Sequence, residues 1–294
     1  MNFADCDARP FLSGERLQLA GEKLGDPALI AMGCEMCGTL AGQLKSVPHF
    51  NRAMSLLFHP QPETARPVTG KKDVWLPDLQ VRVVRRDKLT LCCKGGNNGE
   101  NHNHNDVGSF MLYMDGEPEI IDAGNMVYTA KTFSDQRYTL WNVRSAYHNV
   151  PMIGGREQQA GTMFRARETE YLPDGLRMDL AETYGVASGV KSCRREIELD
   201  TEGLTVRDHI ETETQEKTCW VFMFRNEPVK TEDGLETDQL QMNIPGGWKT
   251  EIEEIPITDS CMARNWPGSL WRVMITAQAS CLQEAEWRFR RHLD

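Results

Sequence analysis

The chain has 294 residues, of which 40% are hydrophobic and 26% are charged, a composition that is ordinary for a globular protein of one or two domains. Its net charge of −10 argues against non-specific nucleic-acid binding, which requires a basic face. The sequence has no run of about 18 apolar residues, and its start has no basic region followed by an apolar one. We therefore expect neither a membrane partner nor a signal peptide.

The cysteines indicate a reducing environment. There are nine, an odd number, and they are scattered except for the adjacent Cys92 and Cys93. This arrangement is not a disulfide framework. We therefore expect a cytoplasmic protein, or a periplasmic or secreted one if an N-terminal extension is missing. Cys34 and Cys37 are interpreted as two small apolar residues of a helix, because no second ligand pair accompanies them.

Residues 1–72 are predicted to form a short helical segment. Asp26 has the character of an N-cap and Pro27 that of a first helical residue, and apolar residues follow at roughly helical spacing. Residues 49–58 suggest another short helix. Residues 59–72 contain three prolines and are typical of a linker.

Residues 73–294 are predicted to form a separate, antiparallel β-sandwich domain. Short β-type runs such as LQVRVVRR, SFMLYM, LTVRDHIET and WRVMITA are separated by Asp-Gly, Glu-Gly and Gly-Gly turns. Many of these runs recur at a spacing of about ten residues, with no helical pattern between them, which favours an antiparallel sandwich. The fold class is therefore mainly β, preceded by a short helical segment.

Polar residues that can bind metals gather around the stretch ENHNHNDVGSF. His104, Asp122 and His148 offer imidazole and carboxylate donors that suit zinc and leave a fourth position for water. A regular hairpin through SFMLYM-DG-EPEIID would place Asp122 opposite Ser109, about 16 Å from His104 along the strand. A shared metal therefore requires the histidine-rich segment to fold back, with Gly108 as the bend. The alternative is a buried network in which these groups bond to one another.

Two stretches carry a resemblance to a known family. GGNNGENHNHNDVGSFMLYMDGEPEIIDAG and the later RSAYHNVPMIGGREQ resemble the β domain of the heparinase II/III-like family. The elements HxHxDxGSF, DxG and HN occur in the family's order, so the resemblance is strong over residues 75–160 and extends weakly towards residue 210. The family comprises lyases of uronic-acid polymers such as heparin, heparan sulfate and alginate. The resemblance thus implies an anionic polysaccharide as substrate.

The resemblance also implies a metal site and a catalytic pair. His104, Asp122 and His148 match the family's divalent-metal ligands, with zinc as the metal in several members, where it holds the loops of the site. His102 matches a histidine that lines the cleft near the scissile bond. Tyr128 is taken as the tyrosine that some members carry after the metal-binding aspartate.

The remaining candidates are less sharply defined. Tyr138 is the alternative to Tyr128. Arg144 and Asn149 flank the last metal ligand and are expected to bind substrate, although an internal ion pair is as plausible for Arg144. Asp106 is expected to cap a turn rather than to bind metal.

The expected reaction is β-elimination. A uronate carries an acidic C5–H beside its carboxylate; a base removes that proton, donors neutralise the carboxylate, and an acid protonates the departing O4. Relatives carry a large α/α toroid that supplies the main catalytic tyrosine and the group that neutralises the carboxylate. Residues 1–72 resemble only the tail of such a toroid. We therefore expect a lyase, or its β-domain fragment, that is incomplete without the toroid.

Two other functions compete with a lyase. One is a non-catalytic, metal-stabilised sandwich that binds carbohydrate or completes an assembly with another chain. The sequence leaves open whether the chain forms a homo-oligomer. The other is a zinc hydrolase that uses a metal-bound water, but the sequence has no HExxH motif.

Overall fold

The computed structural model describes residues 2–8, 14–37 and 73–292. The chain divides into two compact units, one formed by Pro10–Lys71 and the other by Met1–Arg9 together with Lys72–Asp294. Residues 2–8 therefore belong to the same unit as the sheets, although the sequence groups them with the helices. The predicted helix over residues 49–58 and the linker over 59–72 lie outside the described residues. No helix in the described ranges is long and apolar enough to cross a membrane.

The helical unit contains two described helices, α1 (Gly14–Leu24) and α2 (Pro27–Cys37). As the sequence predicts, Asp26 caps α2, because its carboxylate accepts hydrogen bonds from the backbone N–H groups of Ala28 at 2.8 Å and Leu29 at 3.2 Å. The two helices pack closely, since a Cβ at Gly33 would come within 2.4 Å of the backbone nitrogen of Gln18 in α1.

The second unit is built from antiparallel strands, as predicted. In chain order the described strands are β1 (Val74–Leu76), β2 (Val81–Arg86), β3 (Leu89–Lys94), β4 (Asn97–Asn98), β5 (Phe110–Met114), β6 (Glu117–Ile120), β7 (Pro151–Ile153), β8 (Gly161–Arg165), β9 (Arg167–Leu172), β10 (Gly175–Asp179), β11 (Val190–Leu199), β12 (Gly203–Glu216), β13 (Thr218–Phe224), β14 (Val229–Lys230), β15 (Gly234–Glu236), β16 (Leu240–Asn243), β17 (Lys249–Pro256), β18 (Ser269–Thr276) and β19 (Ser280–Arg291). A short helix, α3 (Met262–Asn265), precedes β18.

The strands form two large sheets. The first has the order β1-β2-β3-β5-β6-β13-β18-β17, with β7 paired to β13. The second has the order β14-β15-β16-β19-β12-β11-β10-β9, and β4 pairs with β8 in a small ribbon. Strand β12 shows why they stack: Leu204, Val206 and Ile210 are buried, whereas Arg207 between them is exposed. The predicted antiparallel sandwich is thus confirmed.

The core lies between the two sheets and is rich in aromatic rings. Phe110 of the first sheet meets Phe289 of the second with ring centroids 5.7 Å apart, and Phe222 meets Trp287 at 5.2 Å. Edge-on contacts of this kind add to the free energy gained by burying the rings. These contacts clamp the two sheets together beneath β5, the strand that follows the histidine-rich segment.

The hairpin β5–β6 departs from the regular ladder. Asp115 and Gly116 both have positive φ, +52° and +88°, as the predicted two-residue Asp-Gly turn requires. Tyr113 pairs with Pro118, but the next recorded pair is Leu112 with Ile120, so the register shifts by one residue. The expectation that Asp122 continues a regular ladder opposite Ser109 is therefore wrong, because a bulge near Glu119 displaces the end of β6.

Candidate functional site

A sharp turn brings the histidine-rich segment back over the start of β5. The backbone N–H of Ser109 donates to the carbonyl of Asp106 at 3.0 Å, and Gly108 has a φ of +86°. A Cβ at Gly108 would also meet the side chain of Leu180 at 2.6 Å. The backbone conformation and the lack of space both favour glycine here. The bend expected from the sequence thus occurs at Gly108.

The turn places His104 beside Asp122 and His148. All three side chains are fully buried, and one potential ligand atom of each lies within 4.8 Å of the other two. Asp122 follows β6, whereas His148 is reached through four short 3₁₀ helices, Ala130–Phe133, Arg137–Thr139, Trp141–Val143 and Ser145–Tyr147. The structure therefore brings together the three predicted ligands from distant parts of the sequence.

Several polar atoms of this cluster have no hydrogen-bond partner. They are Nδ1 of His104, Oδ2 of Asp122 and both ring nitrogens of His148. Asp122 Oδ2 and His148 Nδ1 lie 3.2 Å apart, but without the geometry of a hydrogen bond. Buried polar atoms normally have a hydrogen-bond partner. Four buried atoms that lack one, all of them able to bind a metal, favour a cation here over a network in which the groups bond to one another. These residues have the donor chemistry and spacing to hold a divalent metal.

The charges of the cluster are strongly coupled. Burial lowers the pKa of His104, and its hydrogen bond to Asp5 only partly opposes this effect. For His148, burial also acts to lower the pKa, but the negative charge of Asp122 outweighs it and the pKa is raised. The pKa of Asp122 is lowered, because the two imidazoles outweigh the effect of its burial. Asp122 is therefore a buried anion with two imidazoles around it.

A second carboxylate, that of Asp5, lies at the rim of the cluster. Asp5 Oδ1 is 2.9 Å from Nε2 of His104, and its Oδ2 accepts a hydrogen bond from Arg137 at 2.9 Å. Burial raises the pKa of Asp5, but the bonds to His104 and Arg137 outweigh it and lower the pKa to about 2. Asp5 lies 99 positions before His104 and outside every motif, so the sequence gives no signal for its place at the site.

An exposed histidine–tyrosine pair lies next to the buried cluster. Nδ1 of His102 is 3.0 Å from the hydroxyl of Tyr128, and their rings stack with centroids 6.0 Å apart. The His102 side chain is 59% exposed, and Tyr128 is 41% exposed. Burial of the hydroxyl and the nearby charge of Asp5 raise the pKa of Tyr128 to about 12. Tyr128 therefore carries its proton at neutral pH.

Tyr128 also borders an open pocket of about 530 Å³. The pocket is lined by Asn125, Met126, Val127, Tyr128, Ser260, Cys261 and Arg264. Tyr138, the alternative to Tyr128, instead donates its hydroxyl to Asn103 Oδ1 at 3.1 Å. Tyr128 thus belongs both to the exposed pair and to the lining of the pocket.

The two predicted substrate-binding residues differ in their surroundings. Asn149 is fully buried; it donates to the carbonyls of Phe110 at 2.7 Å and Ile121 at 2.9 Å and accepts from the N–H of Met223 at 2.7 Å. With all its polar atoms engaged, Asn149 joins three strand segments and has no group left for a substrate. Arg144 donates Nε to Glu157 at 3.1 Å, the internal ion pair that was the alternative for it.

Asp106 and Gln158 complete the surroundings of the cluster. Asp106 is fully buried and accepts a hydrogen bond from Lys94 at 2.7 Å. Its side chain therefore forms an ion pair rather than a turn cap. Gln158 is buried; its side-chain oxygen accepts from the N–H of Val107 at 3.1 Å, and its side-chain nitrogen donates to the carbonyl of Val107 at 2.7 Å.

The fold and site define an antiparallel β-sandwich that carries a buried His–Asp–His group at one end. The family model described as "Heparinase II/III-like, C-terminal" matches residues 68–262, more than half of the chain. The chain belongs to this family. No curated protein matches it.

Solved structures with a similar fold include several lyases. A heparinase III with methylated lysines is 12% identical, with a TM-score of 0.67 over 99% of this chain and 42% of that one. A heparan sulfate lyase HepC mutant from Pedobacter heparinus is 13% identical, with a TM-score of 0.64 over 99% and 43%. Another heparinase III is 13% identical, with a TM-score of 0.67 over 98% and 44%. The chain thus spans less than half the length of these structures, and at these identities the likeness shows the fold.

Proposed function

We propose that the chain is the β-sandwich part of a polysaccharide lyase that cleaves uronic-acid-containing glycans by β-elimination. The observation that carries the proposal is the exposed His102–Tyr128 pair, joined at 3.0 Å beside the buried His–Asp–His group. Family membership supports an anionic polysaccharide as the substrate.

In this proposal His102 and Tyr128 move the protons. His102 removes the C5 proton of the uronate, and Tyr128 delivers a proton to the departing O4. The raised pKa of Tyr128, about 12, suits a group that must hold its proton until the glycosidic bond breaks. In this scheme Nε2 of His102 takes the C5 proton, and the proton on Nδ1 then passes to the Tyr128 oxygen, which has given its own proton to O4.

The group that neutralises the substrate carboxylate is not assigned to this chain. Arg144 is 41% exposed at its side chain, but Glu157 already accepts hydrogen bonds from its guanidinium. A uronate would have to compete with Glu157 for that guanidinium. Relatives extend well beyond this chain, so we expect that residues outside it close the opposite wall of the cleft.

We propose zinc as the ion held by His104, Asp122 and His148. Two ligand atoms in a tetrahedral zinc site, each about 2.0–2.2 Å from the ion, are about 3.3–3.6 Å apart. The 3.2 Å between Asp122 Oδ2 and His148 Nδ1 is close to this spacing. When bound, zinc would neutralise the buried charge of Asp122 and join three segments of the chain that flank the exposed pair.

The test is a lyase assay on the purified chain. Heparin, heparan sulfate and alginate are each incubated with the protein, and the ultraviolet absorbance of the unsaturated uronate is followed. Because residues outside this chain are expected to complete the cleft, we expect slow formation of absorbance with at least one polymer, its loss in His102→Ala, and its retention in His209→Ala. His209 is a fair control because it is a partly exposed histidine on β12 that pairs with Glu211 and Glu284, outside the cluster.

A second candidate function is carbohydrate binding without catalysis. It is favoured by the observation that the chain spans only 42–44% of the three lyase structures compared above. Sugar binding without new absorbance would support it and contradict catalysis by this chain alone. New reducing ends without absorbance would indicate hydrolysis instead.

A further inference from the structure

The Asp5 carboxylate lies beside the His–Asp–His group without being part of it. Among the described residues, the atoms close enough to share one ion come from His104, Asp122 and His148 alone. Asp5 instead contacts the far side of one of these residues, with its Oδ1 2.9 Å from Nε2 of His104.

We propose that Asp5 is a positioning residue that fixes the ring of His104 so that Nδ1 faces the metal. This inference rests on the metal site of the proposed function. With Nε2 donating its proton to Asp5, Nδ1 keeps its lone pair, and Nδ1 is the ring nitrogen that has no partner in the protein. A carboxylate that accepts a proton from the far nitrogen of a ligating histidine sets its tautomer and orientation and makes the ligand more basic.

Asp5 is itself held firmly in place. Its Oδ2 accepts from Arg137 at 2.9 Å, and the same guanidinium donates to the carbonyls of Asn103 at 2.8 Å and Thr132 at 3.2 Å. The backbone N–H of Asp5 also donates to the carbonyl of His102 at 3.2 Å. The Asp5 side chain is only 3% exposed, so water does not compete strongly for it.

Neighbouring residues of the same segment add further anchors. Asn2 donates to the carbonyl of Asp122 at 3.3 Å, and Asp7 accepts a hydrogen bond from Asn265 at 3.0 Å. A Cβ at Gly124 would meet the carbonyl oxygen of Cys6 at 2.8 Å, so the segment packs directly on the loop that follows Asp122. Residues 2–8 are thus a built part of the site rather than a chance contact.

The same carboxylate connects the metal ligand to the exposed pair. Asp5 Oδ2 is 3.4 Å from Nδ1 of His102, the nitrogen that also meets Tyr128. A change at Asp5 therefore reaches both His104 and His102, and activity alone would not separate the two effects. Metal binding is the readout that isolates the effect on His104.

The experiment measures zinc affinity by competition with a chromophoric chelator on the whole chain. Asp5→Ala is expected to weaken zinc binding about 10- to 100-fold, the usual effect of removing an outer-sphere partner. Asp5→Asn keeps a hydrogen-bond acceptor but loses the charge, so its loss should be smaller. Asp73→Asn is the control, because the Asp73 carboxylate also pairs with an arginine, Arg86 at 3.0 Å, but contacts none of the three ligands; it should bind zinc like the wild type.

Cobalt substitution distinguishes an outer-sphere role from direct ligation. If Asp5 only positions His104, the visible absorption of the cobalt-loaded Asp5→Asn variant should keep the wild-type band shape and intensity. A changed spectrum would make Asp5 a ligand and overturn the proposal. Wild-type zinc affinity in both Asp5 variants would overturn it too, as would a wild-type chain that binds neither metal. If Asp5→Ala does not fold, Asp5→Asn decides.

The outcome is independent of lyase activity. A wild-type chain that binds zinc in an Asp5-dependent manner but produces no unsaturated uronate would support this inference and contradict the catalytic proposal. A catalytically active chain whose zinc affinity is unchanged in the Asp5 variants would support the catalytic proposal and contradict this inference.

Discussion

The Asp122 carboxylate lies 3.2 Å from Nδ1 of His148 in a fully buried pocket, although the two residues are 26 positions apart in the sequence. The contact lacks hydrogen-bond geometry, and the neighbouring Nδ1 of His104 is also unpaired. A buried carboxylate beside nitrogens without hydrogen-bond partners destabilises the folded protein unless a further group, such as a cation, binds these atoms. Metal binding at these atoms should therefore raise the stability of the folded protein, and stability is the quantity to measure.

Zinc should raise the thermal stability of the chain, and a chelator should lower it. Binding to the folded state alone stabilises by about 2.7 kcal/mol when free zinc is 100 times its Kd. We expect His148→Ala to lose this response and His209→Ala to keep it in thermal melts with and without zinc. A wild-type melting temperature that responds to neither zinc nor chelator would contradict a metal site.

Tyr128→Phe should remove catalysis without unfolding the protein. The change deletes the hydroxyl that meets His102 but keeps the ring that packs edge-on against Phe133 at 5.3 Å. General acid–base catalysis contributes about 10²- to 10⁴-fold, so we expect a loss of that order in the rate of uronate formation. Tyr171→Phe is the control, because Tyr171 is 48% exposed and packs against Trp75. Equal activity of Tyr128→Phe and wild type would exclude the tyrosine as the acid.

Arg195→Met should destabilise the fold strongly. Arg195 makes two hydrogen bonds to Asp208, of 2.7 and 2.8 Å, and donates to the carbonyls of Gly108 at 3.0 Å and Asn149 at 2.6 Å, all in the fully buried core. Removing one partner leaves a buried charge, which costs about 3–5 kcal/mol in denaturant-unfolding experiments.

The double variant Arg195→Met/Asp208→Leu tests that explanation. Both charges are then absent, so the double variant should be more stable than Arg195→Met alone. The gain will be limited, because Trp220 Nε1 loses its bond of 2.9 Å to Asp208. If the two variants were equally unstable, the lost carbonyl contacts would be the larger cause.

Glu119→Gln should stabilise the protein more at high pH than at low pH. Burial raises the pKa of Glu119 above its ordinary 4.5, aided by the charges of Asp238 and Glu117 and opposed by hydrogen bonds from Thr237 and Asn226. A carboxyl group whose pKa is raised on folding favours the folded state below its unfolded pKa. That contribution is lost as the pH rises through the folded pKa.

The measurement is urea unfolding of Glu119→Gln and wild type at about pH 4 and about pH 8, on either side of the ordinary carboxyl range. The free energy of unfolding of the variant minus that of the wild type should be larger at about pH 8. Glu232→Gln, at an exposed glutamate, is the control variant. A difference that is the same at both pH values would show that Glu119 carries its charge without penalty.

The sandwich could be predicted because its evidence is local. In β12 the alternation of Leu204, Val206 and Ile210 with polar residues already defines an inward and an outward face. The Asp115–Gly116 turn is likewise encoded by two residues that tolerate positive φ. The convergence of His104, Asp122 and His148 is less local: their donor chemistry suggested a shared metal, and the resemblance to the family then favoured it.

The remaining features of the site depend on packing across the whole unit. Pro118 hints at the register shift near Glu119, because proline cannot donate to the ladder and occurs in inner strands mainly at bulges, but the sequence does not show that β6 is an inner strand. Asn149 looks like a surface ligand beside His148, but three backbone contacts bury it. Asp5 reaches His104 only because the segment of residues 2–8 packs against a turn about a hundred positions later.

The distribution of thiols offers a way to watch that segment. Burial raises the pKa of Cys92 to about 12 and that of Cys193 well above its ordinary value, so neither thiol should react readily. Among the cysteines whose side chains the structure describes, Cys6 and Cys281 are the exposed ones. A fluorophore attached to Cys6 in a Cys281→Ser background would sit one residue from Asp5. Its emission would then show whether the segment keeps the same surroundings when zinc is added or removed.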